Sequence, residues 1–334
     1  MASPPMLSVL IIGCGNIAGG FDRGRDPAEY PFTHAGAYRK HGGFQLAACV
    51  EPDAEKRDAF MRDWDVPLGF ASVTAALSSG LVCDVVSVCS PTVCHADDVL
   101  HVLEKAAPRL IFCEKPVTGS LEQTASLVAR CEATGVSLAI NHNRRWDPAI
   151  AGLRDDIQSG RRGALRSVVG FYNKGILNNG SHMFDLLRQL LGEVSILSVG
   201  LPVEDYSRDD PTLPVWMQSQ SGVPVFLACG DARDYALFEL QLVFSTGVIA
   251  IEDGGQAWRE RTSGPSAEFS SYHVLAEGRV FRGADDECML LAVDNIYRHV
   301  LAGDALSCTG RTALAAQELC ERAKRMVPAP QQHL

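Results

Sequence analysis

An apolar, β-branched run at residues 7–12 leads directly into the pattern Gly-x-Gly-x-x-Ala, and this feature constrains the fold most strongly. The first glycine, Gly13, permits a tight turn from strand to helix, and Gly15 lets the backbone approach a pyrophosphate. The small side chain of Ala18 lets helix and strand lie close together, and the amides at the helix N-terminus attract phosphates. The pattern predicts dinucleotide binding; the alternative is a tight turn alone. The predicted contacts are Gly13, Gly15, Asn16, Ile17 and Ala18.

Strands and helices alternate through the first half of the sequence. Apolar runs such as 44–50, 84–89 and 109–113 are each followed by a segment with a helical pattern. This alternation predicts an α/β fold with parallel strands and right-handed crossovers, and so an N-terminal Rossmann domain with a doubly wound parallel sheet, at residues 1–145. Beyond about residue 148, long strands joined by short turns predict a C-terminal α+β domain. It would occupy residues 146–334 and contain an open, mostly antiparallel sheet.

Composition excludes several other classes of protein. The 334 residues suffice for two domains that each bury their own core. A net charge of −10 argues against nucleic acid as a partner, because phosphate contacts need clustered cations. No apolar segment is long enough to span a bilayer and no basic signal region precedes the first strand, so we expect a cytoplasmic protein without a membrane partner. The eleven dispersed cysteines are expected to be small buried hydrophobic residues.

Glu51 follows the second predicted strand, where a carboxylate accepts both hydroxyls of the adenosine ribose in a dinucleotide fold. It lies farther from Gly15 than the usual spacing of about 20 residues, which is explained if residues 20–33 form an inserted loop. Because a carboxylate repels a 2′-phosphate, Glu51 favours NAD over NADP. Lys56 and Arg57 keep NADP use open. The alternative is that Glu51 is an ordinary solvated acid.

Two further strand ends carry candidate residues. After the strand at 84–89 come Ser90, Pro91, Thr92 and His95, which we expect to contact the cofactor; the alternative is a helix cap. After the strand at 109–113 come Glu114, Lys115 and Pro116, and a lysine at such a position stabilises a developing alkoxide. We count Glu114 and Lys115 among the cofactor contacts. Irregular spacing of the nearby cysteines argues against zinc, and we expect no metal.

Two more motifs follow: Asn143-Arg144-Arg145-Trp146-Asp147-Pro148, and Gly180-Ser181-His182-Met183-Phe184-Asp185-Leu186-Leu187. With the glycine pattern and Glu114-Lys115-Pro116, they resemble the motifs of the Gfo/Idh/MocA family, the glucose–fructose oxidoreductase and inositol dehydrogenase relatives. The resemblance covers residues 7 to about 192. It implies an NAD-dependent enzyme that oxidises a secondary hydroxyl of a sugar, sugar derivative or cyclitol, with Lys115 and His182 as catalytic residues. It also implies a homodimer or homotetramer formed through the C-terminal sheet.

The sequence departs from the family pattern at Asn178, where the family often has aspartate. On a helix, Asn178, His182 and Asp185 would share a face. Asn178 can hydrogen-bond a substrate hydroxyl, but it supplies no negative charge to hold a histidine cation. Asp185 either supplies that charge or pairs with Arg188. Lys115 is the alternative base if burial lowers its pKa.

A set of polar residues is predicted to contact the substrate: Lys115, Asn143, Arg144, Arg145, Lys174, Asn178, Asn179 and His182. The arginines would bind a carboxylate or phosphate, or else form an interdomain ion pair. In the inserted loop, Arg23 and Arg25 would contact a substrate phosphate, or else pair with Asp22 and Asp26. Two other functions stay open at this point: a glycoside hydrolase that retains NAD, and a non-catalytic dinucleotide-sensing protein.

Overall fold

The computed structural model describes residues 5–328, and contacts within the chain divide them into two units. The first unit comprises residues 5–146 and 286–314, and the second comprises residues 147–285 and 315–328. The main boundary thus lies one residue from the one proposed above. Residues 286–314, which the sequence analysis assigned to the second domain, belong to the first unit instead.

A parallel sheet forms the centre of the first unit. Within the described residues its strands are β1 (Leu7–Ile12), β2 (Phe44–Val50), β3 (Leu68–Phe70), β4 (Val85–Val88), β5 (Leu110–Cys113) and β6 (Ser137–Ile140). They lie in the order β3-β2-β1-β4-β5-β6, and each neighbouring pair is parallel. The predicted doubly wound parallel sheet is confirmed. Its strand order reverses between β1 and β4, which is where such sheets bind dinucleotides.

The helices that connect these strands are α1 (His34–His41), α2 (Ala54–Trp64), α3 (Val73–Ser78), α4 (Thr92–Lys105) and α5 (Leu121–Thr134). The side chains of Asp53 and Ser120 accept backbone N–H groups at the starts of α2 and α5. Each is a helix cap of the kind expected for a short polar residue. The sequence analysis missed α3 and β3, which are short segments with weak periodicity.

The inserted loop interrupts the first helix instead of preceding it. Residues 15–19 form one turn, in which the N–H of Gly19 donates to the carbonyl of Gly15 at 3.2 Å. The chain then leaves this turn as the inserted loop. Where it comes back, the N–H groups of His34 and Ala35 donate to the carbonyls of Ile17 and Ala18 at 3.2 and 2.9 Å. Helix α1 therefore continues the turn that begins at the glycine pattern, and residues 20–33 are extruded from it.

A later helix, α8 (Cys288–Ala302), explains why residues 286–314 belong to the first unit. Its buried apolar residues recur at helical spacing and join the core of the parallel sheet. These residues are Met289, Ala292, Val293, Ile296 and Val300. The ring of Tyr297 also lies 5.5 Å from that of Phe44 on β2. Chain order alone does not reveal this return.

The second unit is built on a larger sheet. Its strands are β7 (Leu165–Tyr172), β8 (Val194–Val199), β11 (Val215–Ser219), β12 (Pro224–Cys229), β13 (Phe238–Phe244), β14 (Gly247–Glu252), β15 (Ala257–Pro265), β16 (His273–Leu275) and β17 (Arg279–Arg282). The order is β16-β15-β14-β13-β7-β12-β11-β8, with β17 also paired to β15. Among the described pairs, β7 with β12 is parallel and the others are antiparallel, so the mostly antiparallel prediction is confirmed. A separate hairpin pairs β9 (Val203–Ser207) with β10 (Asp210–Thr212).

Helices α6 (Pro148–Ser159) and α7 (Gly180–Leu191) contribute apolar side chains to the core of the second unit. Helix α9 (Gly310–Arg325) begins in the first unit and continues in the second from Ala315. No helix within residues 5–328 is long and apolar enough to cross a membrane.

Candidate functional site

A series of backbone hydrogen bonds aligns the strand ends of the first unit. The N–H of Gly13 donates to Val50 at 2.8 Å, and that of Cys89 donates to Ile12 at 2.7 Å. The N–H of Glu114 donates to Val88, and that of Asn141 donates to Cys113, both at 2.9 Å. The segments that follow β1, β2, β4, β5 and β6 therefore emerge side by side at the carboxyl edge, where ligands of such sheets bind.

The glycine turn has the geometry that a pyrophosphate site requires. Gly13 has a φ of 87°, and a Cβ there would lie 2.6 Å from the backbone nitrogen of Ser90. Only glycine fits that position, because the β1 turn passes so close to the end of β4. A Cβ on the exposed Gly15 would meet no atom within 4 Å. The turn therefore has open space at the point where the backbone would approach a ligand.

Glu51 lies beside this turn. One carboxylate oxygen accepts the N–H of Cys14 at 3.1 Å, and the other accepts the N–H of Asp53 at 3.2 Å. The guanidinium of Arg57 donates to the carbonyl of Glu51 at 2.8 Å, so Arg57 is turned toward the backbone of this residue. The carboxylate is thus fixed next to the glycine turn, where it retains acceptor capacity for ribose hydroxyls.

The segment after β4 is held in place by a buried histidine. His95 is 1% exposed, and its ring nitrogens lie 2.8 Å from the carbonyl of Ser90 and 3.0 Å from that of Pro116. Its imidazole joins the backbones of two strand-end segments, and its contact with the cofactor stays a prediction. Pro91 precedes the first residue of α4, Thr92, so the start of that helix lies next to Ser90.

Asp98 on α4 was missed by sequence reasoning. Its carboxylate accepts the hydroxyl of Ser90 at 2.5 Å. Burial raises the pKa of this carboxyl above its ordinary value, and the Ser90 hydrogen bond only partly offsets that effect. No sequence motif contains both Ser90 and Asp98. The one available signal was that Ser90 follows a predicted strand and Asp98 lies on the helix after it.

The segment after β5 combines a buried carboxylate with a half-buried lysine. Glu114 is 8% exposed, and its Oε1 lies 3.0 Å from Nε2 of His34 and 2.7 Å from Nδ2 of Asn141. Glu114 therefore forms internal hydrogen bonds, and its contact with the cofactor stays a prediction. Lys115 follows it at the strand end. Sequence reasoning missed His34, because 80 residues separate it from Glu114.

A 3₁₀ turn, Asn143–Trp146, contains Asn143, Arg144 and Arg145. It ends the first of the two stretches of chain that form the first unit. All three are half-buried. The indole N–H of Trp146 donates to Oδ1 of Asn295 on α8 at 3.0 Å and so fixes the end of this turn. The turn follows β6 at the carboxyl edge of the sheet, and its role in binding substrate remains a prediction.

In the second unit, His182 is a half-buried residue in the first turn of α7. A π-helical turn, Gly175–Asn179, precedes that helix, so Asn178 lies outside α7 and the expected face shared with His182 and Asp185 is interrupted. The amide of Asn178 donates to the carbonyl of Lys174 at 3.0 Å. Arg188 pairs with Glu193; a pair between Asp185 and Arg188 was one of the two alternatives in the sequence analysis.

The β9–β10 hairpin holds this π-helical turn. Asp210 accepts the N–H groups of Leu177 and Asn178 at 2.7 and 3.0 Å, and Asp205 accepts that of Lys174 at 2.8 Å. Lys174 has a φ of 68°, a left-handed conformation that costs about 1–3 kcal/mol in a non-glycine residue. Neither aspartate belonged to a sequence motif. Asn179 donates to the carbonyl of Asn173 at 3.0 Å.

The inserted loop forms ion pairs within the first unit. Arg23 lies 2.7 Å from Asp63 at the end of α2, and Arg25 lies 2.5 Å from Glu29 and 3.6 Å from Asp22. The structure thus favours ion pairs within the protein over contact of the two arginines with a substrate phosphate. Asp22 is a partner as expected, but Asp63 and Glu29 take the place expected for Asp26. A cavity of about 690 Å³ lies under the loop, bounded by Lys40 and Trp64 at the ends of α1 and α2.

Comparisons with known proteins agree with this geometry. Residues 7–142 match the family model described as "Oxidoreductase family, NAD-binding Rossmann fold". The chain is 25% identical over 278 residues to the inositol 2-dehydrogenase of Rhizobium meliloti (strain 1021), and the match covers 77% of this chain and 82% of that protein. The fold is similar to that of an oxidoreductase from Agrobacterium radiobacter in complex with NAD⁺, L-tartaric acid and magnesium. That comparison gives a TM-score of 0.74 at 18% identity and covers 96% of each chain.

A second solved structure of similar fold is the WlbA dehydrogenase from Bordetella pertussis in complex with NADH and UDP-GlcNAcA. The TM-score is 0.72 at 17% identity, with 98% of this chain and 100% of that chain covered. The glycine turn, Glu51 and the strand order define the first unit as the NAD-binding domain of an oxidoreductase. The matched family model is that of the Gfo/Idh/MocA oxidoreductases, and the match covers residues 7–142.

The residues present fit an NAD molecule. The glycine turn has open space around Gly15 and lies beside a fixed carboxylate, Glu51. When bound, NAD supplies an acceptor for a hydride. The turn at residues 13–18 would hold the pyrophosphate, Glu51 would hold the adenosine ribose, and the segment at 90–92 would flank the cofactor.

Proposed function

We propose that this protein is an NAD-dependent dehydrogenase of a secondary hydroxyl on a sugar, a sugar derivative or a cyclitol. The single observation that carries the proposal is the position of Lys115. It follows β5, two strands from the glycine turn, at the edge where the cofactor of this fold binds. The similarity to an inositol 2-dehydrogenase supports this substrate class.

We assign a separate role to each catalytic residue. His182 accepts the hydroxyl proton of the substrate, since a histidine with an ordinary pKa of about 6.5 exchanges protons near neutral pH. The ammonium group of Lys115 stabilises the negative charge that develops on the same oxygen. The carbon-bound hydrogen leaves as hydride, so that an alcohol and NAD⁺ give a ketone, NADH and one proton.

Substrate contacts are proposed for both units. In the first unit they are Asn143, Arg144 and Arg145, which are half-buried at the carboxyl edge. In the second unit they are Lys174 and Asn178, whose backbone N–H groups are held by Asp205 and Asp210, and Asn179, whose side-chain amide donates to the carbonyl of Asn173. These groups recognise hydroxyl or anionic substituents of the substrate by hydrogen bonding. Free, phosphorylated and nucleotide-linked sugars all have such substituents, so the activity of the enzyme on all three must be compared.

The first test is an activity screen. Purified protein is mixed with NAD or NADP and with inositols, hexoses, sugar phosphates and nucleotide sugars, and NADH or NADPH is followed by absorbance. Turnover of at least one polyol with NAD supports the proposal. Glycoside cleavage without net change in NADH would identify a hydrolase that retains NAD. Tight NAD binding without turnover, together with a stable protein partner, would identify a sensor.

The second test separates the two catalytic roles. We expect Lys115→Ala to lower kcat by several orders of magnitude while NAD affinity stays within a few-fold. We expect His182→Ala to lower kcat by about 10²–10⁴-fold, the range for loss of a general base. Lys105→Ala and His101→Ala are matched controls, because both residues are exposed on α4. If His182→Ala barely lowers kcat while Lys115→Ala is inactive, the base is Lys115 instead.

We also propose that copies of the chain associate through the outer face of the nine-stranded sheet. Trp216 on β11 lies opposite Phe226 on β12, and Phe226 lies opposite Val169 on β7. Trp216 is 53% exposed and Phe226 is 44% exposed. Adjacent exposed aromatic residues on one face of a sheet are typical of an association surface.

A further inference from the structure

Four buried residues of the first unit connect to Glu114 by hydrogen bonds. The hydroxyl of Tyr38 lies 2.8 Å from that of Ser87, which lies 3.2 Å from Nδ1 of His34. Nε2 of His34 lies 3.0 Å from Glu114, and the amide of Asn141 donates to the same carboxylate oxygen at 2.7 Å. All five side chains are buried, and they come from α1, β4 and the segments after β5 and β6.

The directions of these bonds follow from the hydrogens available. Each hydroxyl has one hydrogen, and a neutral imidazole has one donor and one acceptor nitrogen. If Tyr38 donates to Ser87 and Ser87 donates to Nδ1 of His34, then Nε2 carries the hydrogen and donates to Glu114. This arrangement uses every hydrogen once, and it makes Glu114 a pure acceptor.

The orientation of Asn141 supports the same conclusion. Its Nδ2 faces Glu114, while its buried Oδ1 has no hydrogen-bond partner within residues 5–328. An unpaired buried acceptor costs about 1–3 kcal/mol. The opposite amide orientation would place an oxygen against a carboxylate oxygen. The observed orientation is therefore the one expected beside an ionised Glu114.

The charge of Glu114 is set by this environment. Burial alone would raise the pKa of the carboxyl, but the hydrogen bond and electrostatic interaction with His34, the hydrogen bond from Asn141 and the charge of Lys115 outweigh burial, so the pKa lies below its ordinary value. The thiols of Cys89 and Cys113, which interact electrostatically with Glu114, stay neutral because burial raises their pKa values well above the usual range.

We propose that His34, supported by Ser87 and Tyr38, is a positioning residue that fixes an ionised Glu114 beside Lys115 and so keeps the lysine a cation. A neighbouring carboxylate favours the charged form of an amine. Lys115 then donates a hydrogen bond to the reacting oxygen instead of taking its proton. The role of Lys115 toward the reacting oxygen rests on the proposed function. The effect of Glu114 on the charge of Lys115 does not, because it is present in the protein without cofactor.

The test measures the titration of the Lys115 amine directly. The chain has six lysines, Lys40, Lys56, Lys105, Lys115, Lys174 and Lys324, so reductive ¹³C-methylation gives few NMR signals, and Lys115→Arg assigns the relevant one. We expect a lower amine pKa in His34→Leu and in Glu114→Gln than in the wild type. His34→Gln, whose amide replaces the Nε2 donor, should restore the wild-type titration.

His299→Leu is the matched control, because His299 is a hydrogen-bonded histidine of the same unit that contacts Ser137 and lies outside this network. It should leave the Lys115 titration unchanged. Should His34→Leu fail to fold, Ser87→Ala and Tyr38→Phe remove the support for His34 with smaller changes in volume. Identical Lys115 titration in the wild type, Ser87→Ala and Glu114→Gln would overturn the inference, whether or not the protein oxidises any polyol.

Where a substrate is found, a kinetic arm follows. Loss of a hydrogen bond that orients a catalytic group costs roughly 10- to 100-fold in activity. We expect His34→Leu to lower kcat by that factor with KM and NAD affinity nearly unchanged, and His34→Gln to recover most of the loss. Parallel changes in kcat and NAD affinity would mean that His34 only supports the fold.

Discussion

At the scale of single residues, we propose that Glu51 decides which dinucleotide the first unit prefers. Its carboxylate is held by the N–H groups of Cys14 and Asp53, so it cannot turn away from the glycine turn without losing both hydrogen bonds. Arg57, which would attract a 2′-phosphate, donates to the backbone of Glu51. The local charge therefore favours a free ribose over a phosphorylated one.

We expect Glu51→Ala to weaken NAD binding, because two hydrogen bonds to ribose are lost and each is worth roughly 1.5–3 kcal/mol. The same change should narrow the difference between NAD and NADP by removing repulsion of the phosphate. Dissociation constants for both cofactors measure the effect, with the exposed Glu55→Ala on α2 as control. A wild-type protein that prefers NADP would contradict the assignment of Glu51 to the ribose.

At the scale of elements, residues close in sequence were predictable and long-range partners were not. The glycine turn, Glu51 and Lys115 follow buried strands directly, so strand periodicity placed them at the carboxyl edge. The bond from His34 to Glu114 spans 80 residues, and that from Asn178 to Asp210 spans 32. Such pairs depend on how strands are ordered and how loops return. The return of α8 to the first unit has the same cause.

The inserted loop gives a prediction at this scale. Asp22, whose side chain is 6% exposed, accepts the N–H groups of Phe32 and Thr33 at 3.0 and 2.9 Å and the Thr33 hydroxyl at 2.6 Å. We expect Asp22→Ala to lower the free energy of unfolding by about 1–3 kcal/mol, since it leaves donors unpaired at the start of α1. Urea unfolding measures this. Asp26→Ala is the control, because the exposed carboxylate of Asp26 accepts a local turn N–H from Ala28.

The double variant Arg23→Ala, Arg25→Ala tests the loop's part in substrate binding. Exposed ion pairs contribute about 0–1 kcal/mol, so little stability should be lost. Because Arg23 and Arg25 already pair with Asp63 and Glu29, we expect equal kinetics on phosphorylated and unphosphorylated substrates. A rise in KM confined to phosphorylated substrates would instead indicate that Arg23 and Arg25 contact the substrate phosphate.

At the scale of the whole molecule, the nine-stranded sheet determines whether the chain is expected to be monomeric. Side chains along its strands alternate between the core of the second unit and the outer face. On β11, Val215 and Met217 are buried while Trp216 is exposed, and on β12, Val225 and Leu227 are buried while Phe226 is exposed. The two exposed aromatic side chains on the outer face leave large apolar surfaces in contact with water, and association would remove that contact.

We therefore expect the double variant Trp216→Lys, Phe226→Lys to be monomeric where the wild type is a dimer or tetramer. Two like charges on facing strands would repel the same charges on a second copy at close range. Size-exclusion chromatography with light scattering measures the mass, and unchanged urea unfolding of the monomer shows that the fold survives. Tyr206→Lys is the matched control, because Tyr206 is an exposed aromatic residue on β9, outside the nine-stranded sheet. A double variant that keeps the wild-type mass would place the association surface elsewhere, and a monomeric wild type would remove the need for one.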